Sequence, residues 1–127
     1  MKKYIITLNE HQLRLISQCV EDCCRFMSGQ TDSMSCIHNL DNYLEVRDAM
    51  DKLHSLVTPM LGHNASYGWN GGNCQNENQR KFLAETYYIY REILHRIMVS
   101  NGIDNVYSSP TLRCNESGEP IIIEEVL

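Results

Sequence analysis

The residues between 66 and 82, SYGWNGGNCQNENQRKF, combine groups that could contact a base and a phosphate. The segment holds the only tryptophan, Trp69, and the adjacent glycines Gly71 and Gly72, which allow a backbone to approach another group closely. Trp69 and Tyr67 offer aromatic faces for stacking. Neutral hydrogen-bonding groups come from the amides of Asn70, Asn73, Asn76, Asn78 and Gln79.

The helix predicted to follow this segment adds positive charge. Arg80 and Arg91 are eleven residues apart, close to three helical turns, so both lie on one face, with Tyr87 near the same line. The amides at a helix N-terminus also favour anions. Aromatic rings, amides and arginines together can hold a nucleotide-like ligand. The predicted ligand-binding residues are Trp69, Asn70, Asn73, Arg80, Tyr87, Arg91 and Arg113.

A structural role for Trp69 is the alternative. Tryptophan is large and highly buried on average, so Trp69 could instead cover the open end of a helical core. Connections as long as residues 59–76 are uncommon unless they are functional or disordered, which keeps the ligand interpretation open.

Other chemistries lack the residue patterns that they require. There is no GxSxG motif and no glycine-rich phosphate loop, and the five histidines are scattered, so no enzyme is predicted. Cys19, Cys23 and a Cys36-x-His38 pair lack the spacing of a structural zinc site, so neither a metal nor a cofactor is expected. The helical positions of Cys19, Cys23 and Cys24 predict reduced, buried thiols.

Length and charge restrict the class of partner. A chain of 127 residues predicts one domain spanning 1–127. A net charge of −5 without a basic block argues against binding long nucleic acids. No apolar run approaches the ~18 residues of a membrane span, and the N-terminus lacks a signal-peptide pattern. These features predict a cytoplasmic protein without a membrane partner.

Apolar periodicity predicts three helices, over about 10–28, 40–58 and 76–101. Asn9 with Gln12 forms a capping box for the first helix, with Thr7 and Glu10 as the alternative, and Gly29 is its stop signal. Asn42 with Glu45, or Asn39, caps the second helix, and Pro59 is expected to end it. Asn101-Gly102 is the stop signal of the third.

Both ends of the chain have β-strand character. KKYIITL, near the N-terminus, alternates and is rich in β-branched residues. NVYSSPTLRC and EPIIIEEVL flank the turn-rich NESGE and predict a hairpin. The predicted fold class is therefore α+β, a three-helix core with a small antiparallel sheet made from the N-terminal strand and the C-terminal hairpin.

Surface composition suggests two kinds of protein contact. The second helix carries the stripe Tyr43, Val46, Met50, Leu53 and Val57, and the third is apolar over a wide arc, so a homo-oligomer is predicted. The acidic helix faces offer an alternative function, an inhibitor that blocks a host protein through Glu21, Asp22, Asp48 and Asp51.

YIITLNEHQLRLI, SYGWNGGNCQNENQRKF and NVYSSPTLRCNESGEPIIIEE resemble segments of small proteins of bacteriophages and mobile elements in gut bacteria. The resemblance implies a host-cell cytoplasmic location and includes inhibitors of host defence, some of which sequester cyclic nucleotide or cyclic ADP-ribose signals. By this analogy, the expected function is non-catalytic sequestration of a nucleotide-like signalling ligand. A small protein without a ligand is a further alternative.

Overall fold

The computed structural model describes residues 1–62, 74 and 77–127. Three α-helices form the described fold: α1 over Glu10–Met27, α2 over Tyr43–Leu61 and α3 over Glu77–Ser100. Short 3-10 turns occupy Ser35–Ile37, Val106–Ser108 and Asn115–Ser117. None of the described helices is long and apolar enough to cross a membrane.

The core lies between α1 and α3, which pack along much of their lengths. Cys24 of α1 and Leu83 and Tyr90 of α3 are buried at its centre. The hydroxyl of Ser17, also buried, donates to the backbone carbonyl of Tyr90 at 3.1 Å. Burial of these apolar side chains supplies the main stabilisation of the helix pair.

The predicted capping signals of α1 are confirmed. The Asn9 side chain accepts from the Gln12 backbone N–H at 2.8 Å, and the Gln12 side chain accepts from the Asn9 N–H at 3.0 Å. The alternative box from Thr7 is wrong. Gly29 follows the helix with φ of 91°, a conformation that glycine adopts without steric cost.

The second helix ends three residues later than predicted. Pro59 lies within its last turn and does not stop it. Proline lacks the N–H of one i→i−4 hydrogen bond, yet the helix continues for two residues beyond it. The helix continues to Leu61 and stops at Gly62, which has φ of 74° and donates to the Thr58 carbonyl at 2.9 Å. At the other end, Asn42 is the cap residue but its side chain makes no capping hydrogen bond.

The predicted α+β fold is wrong, since residues 1–62, 74 and 77–127 contain no strand. Residues 1–9 are exposed and irregular, and the C-terminal tail, residues 103–127, follows α3 as irregular chain with two 3-10 turns. Local hydrogen bonds between side chains and the backbone take the place of the strand-to-strand hydrogen bonds expected for a sheet. Asn105 accepts from the Tyr107 N–H at 2.8 Å, and Ser117 accepts from the Cys114 N–H at 3.1 Å.

Candidate functional site

Arginines stack on tyrosines where the C-terminal tail crosses α3. The guanidinium carbon of Arg91 lies 5.6 Å from the ring centre of Tyr87 and 4.8 Å from that of Tyr107. Nδ1 of His95, one turn further along α3, donates to the Tyr107 carbonyl at 2.7 Å. Cation–π contact and this hydrogen bond hold the first turn of the tail against α3.

The tail makes further contacts nearer the start of α3. A guanidinium nitrogen of Arg80 lies 2.6 Å from a carboxylate oxygen of Glu116. Arg113 stacks on Tyr88 at 4.9 Å and donates to the Gly118 carbonyl. The Tyr88 hydroxyl accepts from the Ile121 N–H at 2.9 Å. The tail is therefore attached to α3 from Arg80 to His95.

The structure thus brings four of the seven predicted ligand-binding residues to one side of α3. These four are Arg80, Tyr87, Arg91 and Arg113. Each arginine already contacts an aromatic ring or an oxygen of the protein itself. Trp69, Asn70 and Asn73 lie outside the described residues, as do Asn76 and both glycines.

Gln79 joins the ends of all three helices. Its side-chain amide donates to the carbonyl of Met27, the last residue of α1, and to that of Leu61, the last residue of α2, each at 2.7 Å. Gln79 itself lies in the first turn of α3 and is only 2% exposed. Helix C-termini lack intrahelical donors, so one amide satisfies two such carbonyls. The neighbouring amides in the sequence predict that Gln79 contacts a ligand, but its hydrogen bonds are to the ends of α1 and α2.

A polar cluster attaches α2 to the connection that follows α1. Nδ1 of His54 lies 3.0 Å from the hydroxyl oxygens of both Thr31 and Thr58, and 3.5 Å from a carboxylate oxygen of Asp32. The Thr58 hydroxyl donates to the Gly29 carbonyl at 2.9 Å. Because the hydroxyls and the carboxylate contact the same ring nitrogen, these contacts cannot relay a proton across the ring as a catalytic triad does. Sequence spacing gave no indication of this cluster.

One side of α2 remains uncovered. No residue of α2 is buried, and in the described part of the chain its packing is mainly with the 3-10 turn at Ser35–Ile37. Leu56 and Met60 are 69% and 72% exposed, and Leu53 and Ala49 are exposed beside them. These residues recur at steps of four, three and four, so they form one stripe, the α2 stripe: Ala49, Leu53, Leu56 and Met60.

Of the four acidic residues predicted to contact a host protein, the two on α1 are already bonded within the chain. Asp22 is buried and accepts from the Ser35 hydroxyl at 3.1 Å, and Glu21 pairs with Arg25 at 3.2 Å. Asp48 and Asp51 of α2 are exposed.

The prediction of buried thiols on α1 is confirmed only for Cys24, since Cys19 and Cys23 are exposed. Burial raises the pKa of the Cys74 thiol. In the described ranges, no group of three histidine, cysteine, aspartate or glutamate side chains could hold a metal ion.

Comparisons of this chain with protein-family models, with curated proteins and with solved structures find no match.

Proposed function

We propose that this chain is a non-catalytic interaction protein whose α2 helix binds a partner protein. The observation that carries the proposal is a 19-residue helix with no buried residue and an exposed apolar stripe. Contiguous exposed apolar surface is uncommon on monomeric proteins and marks interaction sites. The body formed by α1 and α3 would present α2, which is held by Gln79 of α3 and, through His54, by the connection that follows α1.

The partner's binding surface is expected to be a groove. A helix of this length spans ~28 Å, and one face ~10 Å wide offers only ~300 Å². A standard interface needs about 800 Å² from each partner, so a flat contact with the stripe alone would be too small. A groove that encloses Leu53, Leu56 and Met60 matches the i, i+3, i+7 anchors of helix-in-groove recognition. The exposed charged residues that border the stripe on the same helix, Glu45 and Lys52, have opposite signs, so the rim of the groove should carry both charges.

Replacing Leu56 with glutamate tests this proposal. The residue is exposed, so the free energy of unfolding should change by less than ~0.5 kcal/mol. Binding should weaken by about 100-fold, because a charge would enter an apolar groove. A photoreactive residue placed at position 53 would first capture the partner in cells. Titration calorimetry with the purified partner would then compare Leu56→Glu with the native chain.

The matched control is Leu112→Glu, which adds the same charge at an exposed leucine of the tail. It should bind the captured partner as the native chain does. The proposal is wrong if Leu56→Glu binds with unchanged affinity, or if positions 53 and 112 capture the same proteins to the same extent.

A second candidate function is sequestration of a nucleotide-like signalling ligand, in keeping with the resemblance to phage proteins. It is favoured by the placement of Arg80, Arg91 and Arg113 along α3 with the half-buried rings of Tyr87 and Tyr107. Guanidinium groups bind phosphate oxygens, and tyrosine rings stack on bases. A phosphate would have to displace Glu116 from Arg80. The host-cell cytoplasm is the proposed location for either function.

Cyclic nucleotides and cyclic ADP-ribose are suitable probes for this candidate. At a hundredfold excess over its dissociation constant, a bound probe should stabilise the fold by about 2.7 kcal/mol. Arg80→Gln should weaken binding at least about tenfold. The half-exposed pair with Glu116 contributes at most ~1 kcal/mol to stability, so the variant stays folded. Lys81→Gln, on the neighbouring exposed residue, is the matched control. The absence of stabilisation by any probe at millimolar concentration would refute this candidate.

A further inference from the structure

Two irregular segments border an open cleft at one end of the helix pair. The cleft has a volume of about 770 Å³ and lies between residues 4–8 and 122–126, with Leu13 of α1 and Ile97 of α3 also lining it. Neither segment forms a helix, strand or turn. No backbone N–H or C=O of either segment is hydrogen-bonded to another residue in the part of the chain that the structure describes. The cleft therefore combines a mainly aliphatic lining with two backbones whose polar groups have no partner among the described residues.

The two segments run in the same direction across the cleft. At one end, Lys3 pairs with Glu119 at 3.4 Å, and Ile121 is fixed to Tyr88 in the middle of α3. At the other end, residues 8–10 enter α1, where Glu10 accepts from Asn101 at 2.6 Å just beyond the end of α3. Both segments thus lead from the middle of α3 towards its C-terminal end.

Charge differs between the two ends of the cleft. Lys2 and Lys3 precede the first segment, whereas three carboxylates, Glu10, Glu124 and Glu125, line the cleft with one cation, Arg96. Asn101 and Arg14 donate hydrogen bonds to Glu10 and lower the pKa of its carboxyl, so Glu124 and Glu125 are the carboxylates of the cleft left for a second cation. An extended segment entering antiparallel to residues 4–8 would bring its first residues to the acidic end.

We propose that the cleft binds residues 2–8 of a second copy of this chain. The segment has the required chemistry: two lysines that would reach Glu124 and Glu125, followed by aliphatic and aromatic residues for the apolar walls. Its backbone would supply donors and acceptors to both unpaired segments. Ile5 is 101% exposed within a single copy, so such a contact would also cover this side chain.

The proposed exchange of residues 2–8 is reciprocal and involves two copies only. If residues 2–8 of each copy lie between the two bordering segments of the other, the two N-terminal segments become antiparallel neighbours. Each is then flanked on its outer side by residues 122–126 of the other copy. A two-fold axis relates the copies, so the contact ends at a dimer and does not propagate into a fibre.

Replacing Ile5 with proline tests the inference. Proline removes the backbone donor but is compatible with an irregular, exposed segment, so each copy should keep its fold. The native chain should show a concentration-dependent dimer in sedimentation equilibrium. Ile5→Pro should weaken dimerisation at least about tenfold, because the two-fold axis means that the hydrogen bond donated by residue 5 is lost twice. Ile5→Val, which keeps the donor and the β-branched side chain, should dimerise as the native chain does.

A charge exchange provides a second measurement. Reversing both lysines with Lys2→Glu and Lys3→Glu should weaken the dimer, and adding Glu124→Lys and Glu125→Lys to that variant should restore it. Amides of residues 4–8 should also exchange with deuterium more slowly as protein concentration rises. A single-chain mass at all concentrations would overturn the inference, as would a dimer unaffected by Ile5→Pro. Leu56→Glu should leave the dimer intact, so this result is independent of partner binding by α2.

Discussion

Replacing Gln79 with leucine is expected to destabilise the fold by about 2–4 kcal/mol. The substitution preserves approximate volume but removes the amide that donates to both Met27 and Leu61. Each carbonyl would lose its side-chain donor at a helix end, where the last carbonyls have no intrahelical N–H partner. An unsatisfied, partly desolvated carbonyl costs ~1–3 kcal/mol, and two are affected. Urea unfolding monitored by circular dichroism measures the change in free energy.

The same substitution should loosen α2 more than α1 or α3. The helix is attached to the rest of the described chain by few contacts, and Gln79 provides one of them. Hydrogen exchange should therefore accelerate in α2 before it does in the α1–α3 core. Asn78→Leu, at the exposed neighbouring position of α3, is the matched control and should change stability by less than ~0.5 kcal/mol. Equal stability of the two variants would show that the Gln79 amide does not join the helices.

Replacing Leu83 with alanine is expected to cost about 3–5 kcal/mol. The side chain is 0% exposed and packs with Cys24 and Tyr90 at the centre of the core. Truncation removes its transfer free energy and leaves a cavity, which two long helices packed against each other can only partly close. The melting temperature and the urea midpoint should both fall.

Leu112→Ala provides the control for Leu83→Ala. It makes the same truncation at a side chain that is largely exposed on the tail, so its effect should stay within ~0.5 kcal/mol. If the two alanine variants are equally stable, Leu83 does not lie in the core that α1 and α3 form.

The helices could be predicted because their signals are local. The capping box at Asn9 and Gln12, the stop at Gly29 and the apolar periodicity each act within a few residues, and the helix bounds agree to within three residues. The largest error at a C-terminal end, the stop assigned to Pro59, arose from treating proline as an absolute barrier. In the last turn it removes one donor, and Gly62 provides the actual stop.

The sheet was wrong because strands depend on distant partners. Alternation in KKYIITL and β-branched residues in EPIIIEEVL indicate suitability for pairing, but pairing requires another backbone at the right distance. At two points of the tail, side chains of α3 hydrogen-bond to the backbone instead, Tyr88 at Ile121 and His95 at Tyr107. Such a contact between residues 33 positions apart has no local sequence signal.

Only the part of the candidate site whose placement follows from helical spacing could be predicted. The three-turn separation placed Arg80 and Arg91 on a common side of α3, and the tail contacts both. Their partners Glu116 and Tyr107 come from the tail, whose path could not be derived. The His54 cluster and the joining role of Gln79 also depend on tertiary contacts, so periodicity and composition could not distinguish them from ordinary polar residues.

The pairing of α1 with α3 also determines when the protein can fold during synthesis. Cys24 contacts Leu83, and Ser17 contacts Tyr90, across separations of 59 and 73 residues. Until α3 leaves the ribosome, α1 has no apolar surface to pack against, and α2 does not provide one. At ~5–20 residues per second, the apolar face of the first helix would stay uncovered for several seconds. Once α3 has emerged, pairing of the helices is fast, so synthesis of the intervening chain sets the interval in which chaperones can bind.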